Sequence, residues 1–282
     1  MNIFEAVVQG TIQGLTEFLP ISSSGHLAIF QYFLNIQENN LIFNVALHIG
    51  TLISVVLVYR GIIFEFIYSF FVFIVNFFKF KKDTKEHNSF VTLFISCLPL
   101  FLLFFKIPYF DITLKDIAKN NTQPENLFNV GLSLIITSVF LITGAVVFRF
   151  KKVFLKDGIK KITYKDSIII GLVQLFAAIF PGLSRSGSTF STGIILGIER
   201  TTAVDFSFLM SIPTIIAAAL LELLEIKSNK ISLDSGIFLT GITVSAITGI
   251  VSIVFLKWLL KNNKTWIFAL YTLLLGIILT IV

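Results

Sequence analysis

Two stretches of this chain, LFISCLPLFLLFF (93–105) and WIFALYTLLLGIILTIV (266–282), are apolar almost without interruption. Several such runs in one soluble domain would leave more apolar surface in water than folded monomers tolerate. The strands of an outer-membrane barrel alternate lipid-facing apolar residues with polar ones at period two, so the continuity of these runs excludes a barrel as well. What remains is an all-α polytopic membrane protein. Composition agrees, with 55% hydrophobic and 13% charged residues, where soluble domains carry about 25% charged. An ordinary cytosolic enzyme, a nucleic-acid-binding domain and a disordered chain are thereby excluded. The single cysteine, Cys97, lies inside an apolar run and allows no intrachain disulfide and no Cys-based metal site. The start, MNIFEAVVQG, has no basic n-region and no small-residue cleavage site, so no signal peptide is expected.

Runs near 20 apolar residues cross about 30 Å of hydrocarbon. Six spans are expected, at roughly 41–59, 90–105, 127–148, 203–224, 236–256 and 265–282. Residues 62–78 are apolar too, but Arg60 and Glu65 interrupt their start, and a helix lying at the interface is preferred to a seventh span. Residues 3–34 and 167–198 are apolar but broken near the middle, at FLPISSSGH and FPGLSRSGS. Pro, Gly and consecutive Ser end helices. Irregular backbone at membrane depth survives only where protein or a water-filled cavity satisfies it. Both regions are therefore expected to be re-entrant helix pairs.

The formal net charge is +6. With 62–78 interfacial, sixteen basic residues fall on one side: Arg60, Lys79 to Lys85, Arg149 to Lys165, Arg200, Lys257, Lys261 and Lys264. Five fall on the other, at Lys106, Lys115, Lys119, Lys227 and Lys230, and Arg185 sits in the second break. The positive-inside rule makes the first side cytoplasmic.

The two broken regions resemble each other. Gly10, Gln13 and Pro20 match Gly171, Gln174 and Pro181, and Ser22-Ser23-Ser24-Gly25 matches Ser184-Arg185-Ser186-Gly187 after one inserted residue. Three spans between the pairs make the repeats inverted, an architecture shared with transporters. Residues 1–282 are expected to form a single membrane domain with halves of about 1–126 and 127–282.

Ionisable residues inside membrane segments are functional candidates by default. Glu17, His26 and Arg185 lie in or beside the breaks, and Gln13 shares a helix face with Glu17. The hydroxyls of Ser22, Ser23 and Ser24, the glycine at 25, and Ser184, Ser186, Gly187 and Thr189 in the second break resemble phosphate-binding helix starts. Arg185 adds a fork that matches phosphate. Together these are parts for phosphoryl transfer. The same residues also admit a structural reading, with Ser and Gly capping broken helices while Glu17 neutralises Arg185.

The motifs Gln13-Gly14-Leu15-Thr16-Glu17-Phe18-Leu19-Pro20, Ser22-Ser23-Ser24-Gly25-His26 and Pro181-Gly182-Leu183-Ser184-Arg185-Ser186-Gly187-Ser188-Thr189, with ERTTAVDFSFLMSIPT (199–214), resemble the bacterial undecaprenyl-diphosphatase family, the bacitracin-resistance proteins. The resemblance runs nearly end to end. It implies hydrolysis of undecaprenyl diphosphate to undecaprenyl phosphate and inorganic phosphate, which recycles the carrier for cell-wall polymers. It further implies the bacterial plasma membrane, an extracytoplasmic site, a divalent cation (Mg²⁺ or Ca²⁺) and bacitracin resistance. By the same resemblance Glu17 is the essential carboxylate and candidate metal ligand, Ser23 the nucleophile, His26 the acid or base, and Arg185 the diphosphate clamp. Gln13 stands where the family has Glu or Gln, which departs from a two-carboxylate metal site. His48 is open between packing and site roles, Asp205 is unassigned, and Glu199 and Arg200 are expected to be structural. The resemblance leaves a covalent route through Ser23 and attack by a metal-held water both open. A rival class is a phosphate or lipid-phosphate carrier or flippase using the same residues.

Overall fold

A computed structural model describes residues 1–33, 41–78, 89–106, 112–121, 127–150, 161–180, 182–225, 235–262 and 264–281. The described residues are helical almost throughout; the one bridge between extended residues joins Lys106 to Thr113. In chain order the helices are α1 (Ile3–Phe18), α2 (Ser23–Phe33), α3 (Leu41–Val58), α4 (Arg60–Phe78) and α5 (Ser89–Cys97). A 3₁₀ segment, Leu98–Phe104, extends α5. There follow α6 (Leu114–Asn121), α7 (Leu127–Phe150), α8 (Tyr164–Ile179), α9 (Arg185–Ile195), α10 (Arg200–Glu225), α11 (Ser235–Lys261) and α12 (Trp266–Ile281).

Three of these are long and apolar enough to cross a membrane: α7, residues Arg200–Leu221 of α10, and α11. α3 and α4 meet the same test only together, and they turn through 85° where they join. The expected span at 90–105 is a mixed helix. Pro99 brings no N–H, and the backbone tightens to 3₁₀ from Leu98. The α and 3₁₀ parts together reach roughly 27 Å, at about 1.5 and 2.0 Å per residue. α12 has 16 residues, roughly 24 Å. Its flanks, like those of α7 and α11, present large apolar side chains outward, among them Val139, Leu239, Val251 and Leu274. Buried hydroxyls meanwhile bond backbone oxygens of neighbouring helices: Ser54 to Ala246 O, Ser138 to Ala269 O and Ser252 to Leu15 O, each at 2.8 Å. Apolar outside and hydroxyl-laced inside is the arrangement of an integral membrane protein.

The two broken regions start alike. α1 opens on a capping box between Asn2 and Glu5, and α8 on one between Thr163 and Asp166. After each break the return helix is capped by a serine three residues before a glycine. Ser22 Oγ accepts from Gly25 N at 3.1 Å, and Ser184 Oγ accepts from Gly187 N at 3.1 Å.

Small residues hold the first pair in place. Gly10 and Gly14 of α1 lie against the α11 backbone at Gly241, Ser245 and Gly249, and a Cβ on Gly14 would collide with Thr248 and Ser245. α11 packs on α3 at its other flank, with Gly50 against Ser245 and Ala246. α7 and α12 touch through Gly131 and Gly276, each facing the other's carbonyl oxygen. The core centres on Phe18, Tyr59 and Phe208, with ring centroids 5.3 Å apart for Phe18–Phe208 and 6.1 Å for Tyr59–Phe208. At one end of the bundle, Asp205 Oδ1 accepts from Tyr59 Oη at 2.6 Å and pairs with Lys257 Nζ at 3.2 Å. At the same ends of α10 and α12, Arg200 donates to Thr265 Oγ1 at 3.1 Å. These ties gather Arg200, Lys257 and, next to Tyr59, Arg60 at one end of the molecule, where Arg149 lines a cavity together with Arg200.

Candidate active site

α1 ends at Phe18, and Leu19 leaves the helix with extended backbone. The chain then reverses at Ser22, whose φ of 74° is the one left-handed non-glycine among the described residues. For a non-glycine residue this conformation costs on the order of 1–3 kcal/mol and collects at functional sites. α9 enters from the opposite pair after Gly182, at φ +90°; Pro181 lies outside the described residues. The two tips interlock, with Gly182 N donating to Ser24 Oγ at 3.3 Å and Ser186 Oγ to Leu19 O at 3.2 Å.

At this junction the structure brings Glu17, Ser23 and Arg185 into one hydrogen-bonded chain. Arg185 Nη2 lies 2.5 Å from Glu17 Oε1. The other oxygen, Oε2, accepts from Ser23 Oγ at 2.7 Å and from Gln13 Nε2 at 3.0 Å. Glu17 is 8% exposed. Three donors on one buried carboxylate offset the desolvation that a lone charge there would suffer.

His26, expected to be the acid or base, makes contacts of its own. Its Nδ1 lies 2.7 Å from the carbonyl of Ser22 and its Nε2 2.6 Å from the Tyr271 hydroxyl on α12, with the two rings stacked. A carbonyl only accepts, so Nδ1 carries a proton, and Nε2 shares a hydrogen bond with the Tyr271 hydroxyl. Both nitrogens are thereby engaged away from Ser23, whose acceptor is Glu17. His48 lies closer to the carboxylate: its Nδ1 is 3.2 Å from Gln13 Nε2.

Of the remaining phosphate-site candidates, Ser22 and Ser184 cap their helices. Ser184 N donates to Thr137 Oγ1 at 2.9 Å, and Thr189 Oγ1 sits 2.6 Å from Ser207 Oγ. Gly25 and Gly187 are positions of close approach, where a Cβ would come within 3.3 Å of Gly182 Cα and 3.0 Å of Pro20 Cβ respectively.

Two cavities meet at the Glu17–Arg185 pair, which lines both. The smaller, about 100 Å³, is walled by Ser22, Ser23, Ser24, Ser184 and Ser186. The larger, about 460 Å³, is almost wholly apolar, with Phe94, Phe101 and Phe104 on one wall and Ile215, Ala218 and Leu221 on another. Gln174 lines this second cavity, 2% exposed, and neither its amide nitrogen nor its amide oxygen has a hydrogen-bond partner among the described residues. Gln13 Oε1 is unpartnered as well. Sequence reasoning singled out neither Gln174 nor Tyr271 as a site residue. Gln174 was visible as the repeat partner of Gln13, whereas no local motif marks Tyr271.

The fold and site define a class: a polytopic helical membrane protein with a polar, anion-sized chamber between two broken helix pairs and an apolar chamber beside it. Residues 6–278 match the profile of the family described as Bacitracin resistance protein BacA, and the chain belongs to that family. Its relatives include the undecaprenyl-diphosphatase of Christiangramia forsetii, 36% identical over 98% of this chain and 97% of the relative. The undecaprenyl-diphosphatase of Thermosipho africanus is 39% identical over 96% of this chain and 97% of its own.

Proposed function

We propose that this protein hydrolyses undecaprenyl diphosphate to undecaprenyl phosphate and inorganic phosphate. The observation that carries the reading is the Ser23–Glu17–Arg185 chain at the wall between a phosphate-sized chamber and an apolar one. The terminal phosphate enters the serine-walled chamber, and the isoprenoid chain lies along the apolar cavity. Arg185, already at the wall, turns its fork to the diphosphate. Ser23 Oγ attacks the terminal phosphorus, and its proton passes to Glu17 Oε2. The bridging P–O bond breaks, and its electron pair leaves on the prenyl phosphate. Glu17 passes that proton to the departing prenyl phosphate. Water then attacks the phosphoserine phosphorus as Glu17 takes its proton, the P–O bond to Ser23 breaks, Ser23 Oγ recovers the proton from Glu17, and inorganic phosphate is released. Preorganised donors at the developing charge supply most of the acceleration in such reactions.

The residues present fit a hard divalent cation, Mg²⁺ or Ca²⁺. Glu17 offers a carboxylate, and Gln13 offers the orphaned Oε1 of the amide that touches it. No cluster of three His, Cys, Asp or Glu occurs among the described residues, so Glu17 and Gln13 would hold the cation and the diphosphate and water would complete its shell, a pattern common for Mg²⁺. When bound, the cation neutralises charge on the phosphate oxygens.

The topology we propose has six spans, formed by α3, α5 with its 3₁₀ extension, α7, α10, α11 and α12, with α4 along the interface and α1–α2 and α8–α9 re-entrant. The 85° turn into α4 supports this. So does the packing: α8 lies on α5 as α1 lies on α11, while α3 meets α10 and α7 meets α12. That pairing supports an inverted repeat, whose first half we read as ending with α7. The basic end is cytoplasmic, and the apolar cavity, at the far ends of α5 and α10, opens toward the outer leaflet.

The test is phosphate release from a prenyl diphosphate by the purified protein in detergent. Stoichiometric, catalytic release is expected; binding without release would replace the phosphatase reading with a carrier.

A further inference from the structure

A third cavity, about 430 Å³, lies at the basic end of the molecule and shares no lining residue with the two chambers above. It sits between the last turns of α7 and α9 and the first turns of α10 and α12. Along α9, Ser191 is six residues past Arg185, about 9 Å farther from the catalytic site.

The cavity is built for an anion. Arg200, 7% exposed, points its guanidinium into it, 4.1 Å from the Phe148 ring centroid and bonded to Thr265. Arg149 stands exposed on the rim as a second cation. The neighbouring carboxylate, Glu199, accepts from Thr202 N at 3.0 Å and from the Thr201 hydroxyl. α10 starts at Arg200 and α12 at Trp266, so two helix N-termini with their positive partial charge open here. The independent sign of a missing ligand is Ser191. It lines the cavity, is 0% exposed, and its hydroxyl has no hydrogen-bond partner among the described residues. Leaving such a group unpaired is destabilising, a cost that a ligand oxygen in the cavity would remove.

The rest of the wall is apolar, from Leu141, Phe190 and Ile194, and Trp266 stands at the mouth as interfacial aromatics do. Inorganic phosphate alone would leave that wall without a partner. We propose that this cavity is a second binding site, separate from the catalytic one, for a phosphate carried on a lipid chain in the leaflet at the basic end. The phosphate oxygens meet Arg200, Arg149 and Ser191, and the first carbons of the chain run along Leu141 and Ile194. The proposal does not depend on the phosphatase reading.

The chain has two tryptophans, Trp258 and Trp266, so Trp258→Phe leaves a reporter at the cavity mouth. The full-length variant in zwitterionic detergent micelles is titrated with chain-brominated phosphatidylglycerol or phosphatidylcholine, and bromine quenching of Trp266 is read. Saturable quenching by phosphatidylglycerol at tenfold or more lower mole fraction than by phosphatidylcholine is expected. Unbrominated phosphatidylglycerol and a prenyl monophosphate are then added as competitors, and the stronger of the two identifies the lipid class. Recovery by millimolar inorganic phosphate as complete as by either lipid would overturn the lipid assignment. Arg200→Gln should raise the half-saturating fraction roughly tenfold, as loss of a hydrogen bond to a charged group does. Because Arg200 is buried, Arg149→Gln and Ser191→Ala are measured too, with roughly threefold rises expected. Equal quenching by the two lipids, or unchanged half-saturation in Arg149→Gln and Ser191→Ala, would overturn the site.

Discussion

Glu17→Gln separates the carboxylate's chemistry from its place in the fold. Three donors converge on Glu17: Arg185 on Oε1, and Ser23 and Gln13 on Oε2. In the variant, the amide oxygen stays against Arg185 and an NH₂ replaces Oε2. Neither neighbour then clashes. The Ser23 hydroxyl rotates to accept, and Gln13 turns its unpartnered Oε1 inward. The protein should therefore still insert and purify, although all three bonds lose their charge assistance and Arg185 loses its counter-ion. What it loses is the acceptor for the Ser23 proton. Loss of a positioned general base lowers turnover by about 10²–10⁴-fold, or about 2.7–5.4 kcal/mol at 1.36 kcal/mol per tenfold. The fall should appear in kcat, measured as phosphate released from a short-chain prenyl diphosphate in detergent, with monodispersity as the control for folding. Glu17→Asp keeps the charge but withdraws it by about one carbon–carbon bond, roughly 1.5 Å, and should fall between the two. A monodisperse Glu17→Gln protein that turns over within threefold of the parent would refute the base assignment.

Ser23→Ala should abolish turnover while a tritiated prenyl diphosphate still binds; substantial residual turnover would remove the nucleophile and favour direct attack by water. Arg185→Lys keeps one charge but loses the two-pronged fork, and a large loss of kcat/KM is expected in normally folded protein. Gln174→Leu removes a buried amide with no hydrogen-bond partner among the described residues, so it should raise thermal stability while weakening KM if that amide meets the substrate; unchanged KM would leave Gln174 outside the site. In a Cys97→Ser background, a cysteine at Asn120 should react with an impermeant thiol reagent in intact cells, and one at Lys156 only after lysis. The reverse pattern would invert the proposed topology.

The fold was legible to different depths along the chain. Breaks at Pro20 and in the 181–187 stretch were readable because Pro, Gly and serine runs act on the backbone directly, and the helix ends at Phe18 and Ile179 confirm where the arms stop. Hydropathy alone located α7, α10 and α11, which stand as long apolar helices. It marked residues 90–105 as a span without showing that the helix tightens to 3₁₀ from Leu98, because a hydropathy window does not register that Pro99 lacks an N–H. Packing was less visible still. Gly10 and Gly14 facing Gly241, Ser245 and Gly249 form a small-residue seam, but such spacing marks an interface without naming the partner helix.

At the site, residue types were legible and partnerships were not. Helical periodicity put Gln13 and Glu17 on one face, and the structure joins them at 3.0 Å. Periodicity stops at the break, however, and the partner of Ser23 is decided there. Along the sequence, Ser23 stands three residues before His26 and six after Glu17, so the imidazole is the nearer base by counting. The left-handed backbone at Ser22 reverses the chain between α1 and α2. That reversal lays the first turn of α2 over the last turn of α1, where Ser23 Oγ reaches Glu17 at 2.7 Å. His26, one turn further along α2, folds back onto the Ser22 carbonyl and meets Tyr271, a residue 245 positions away. Which side chain Ser23 meets thus rests on a single backbone torsion and on a hydroxyl from the last helix, neither of which leaves a local pattern in the chain.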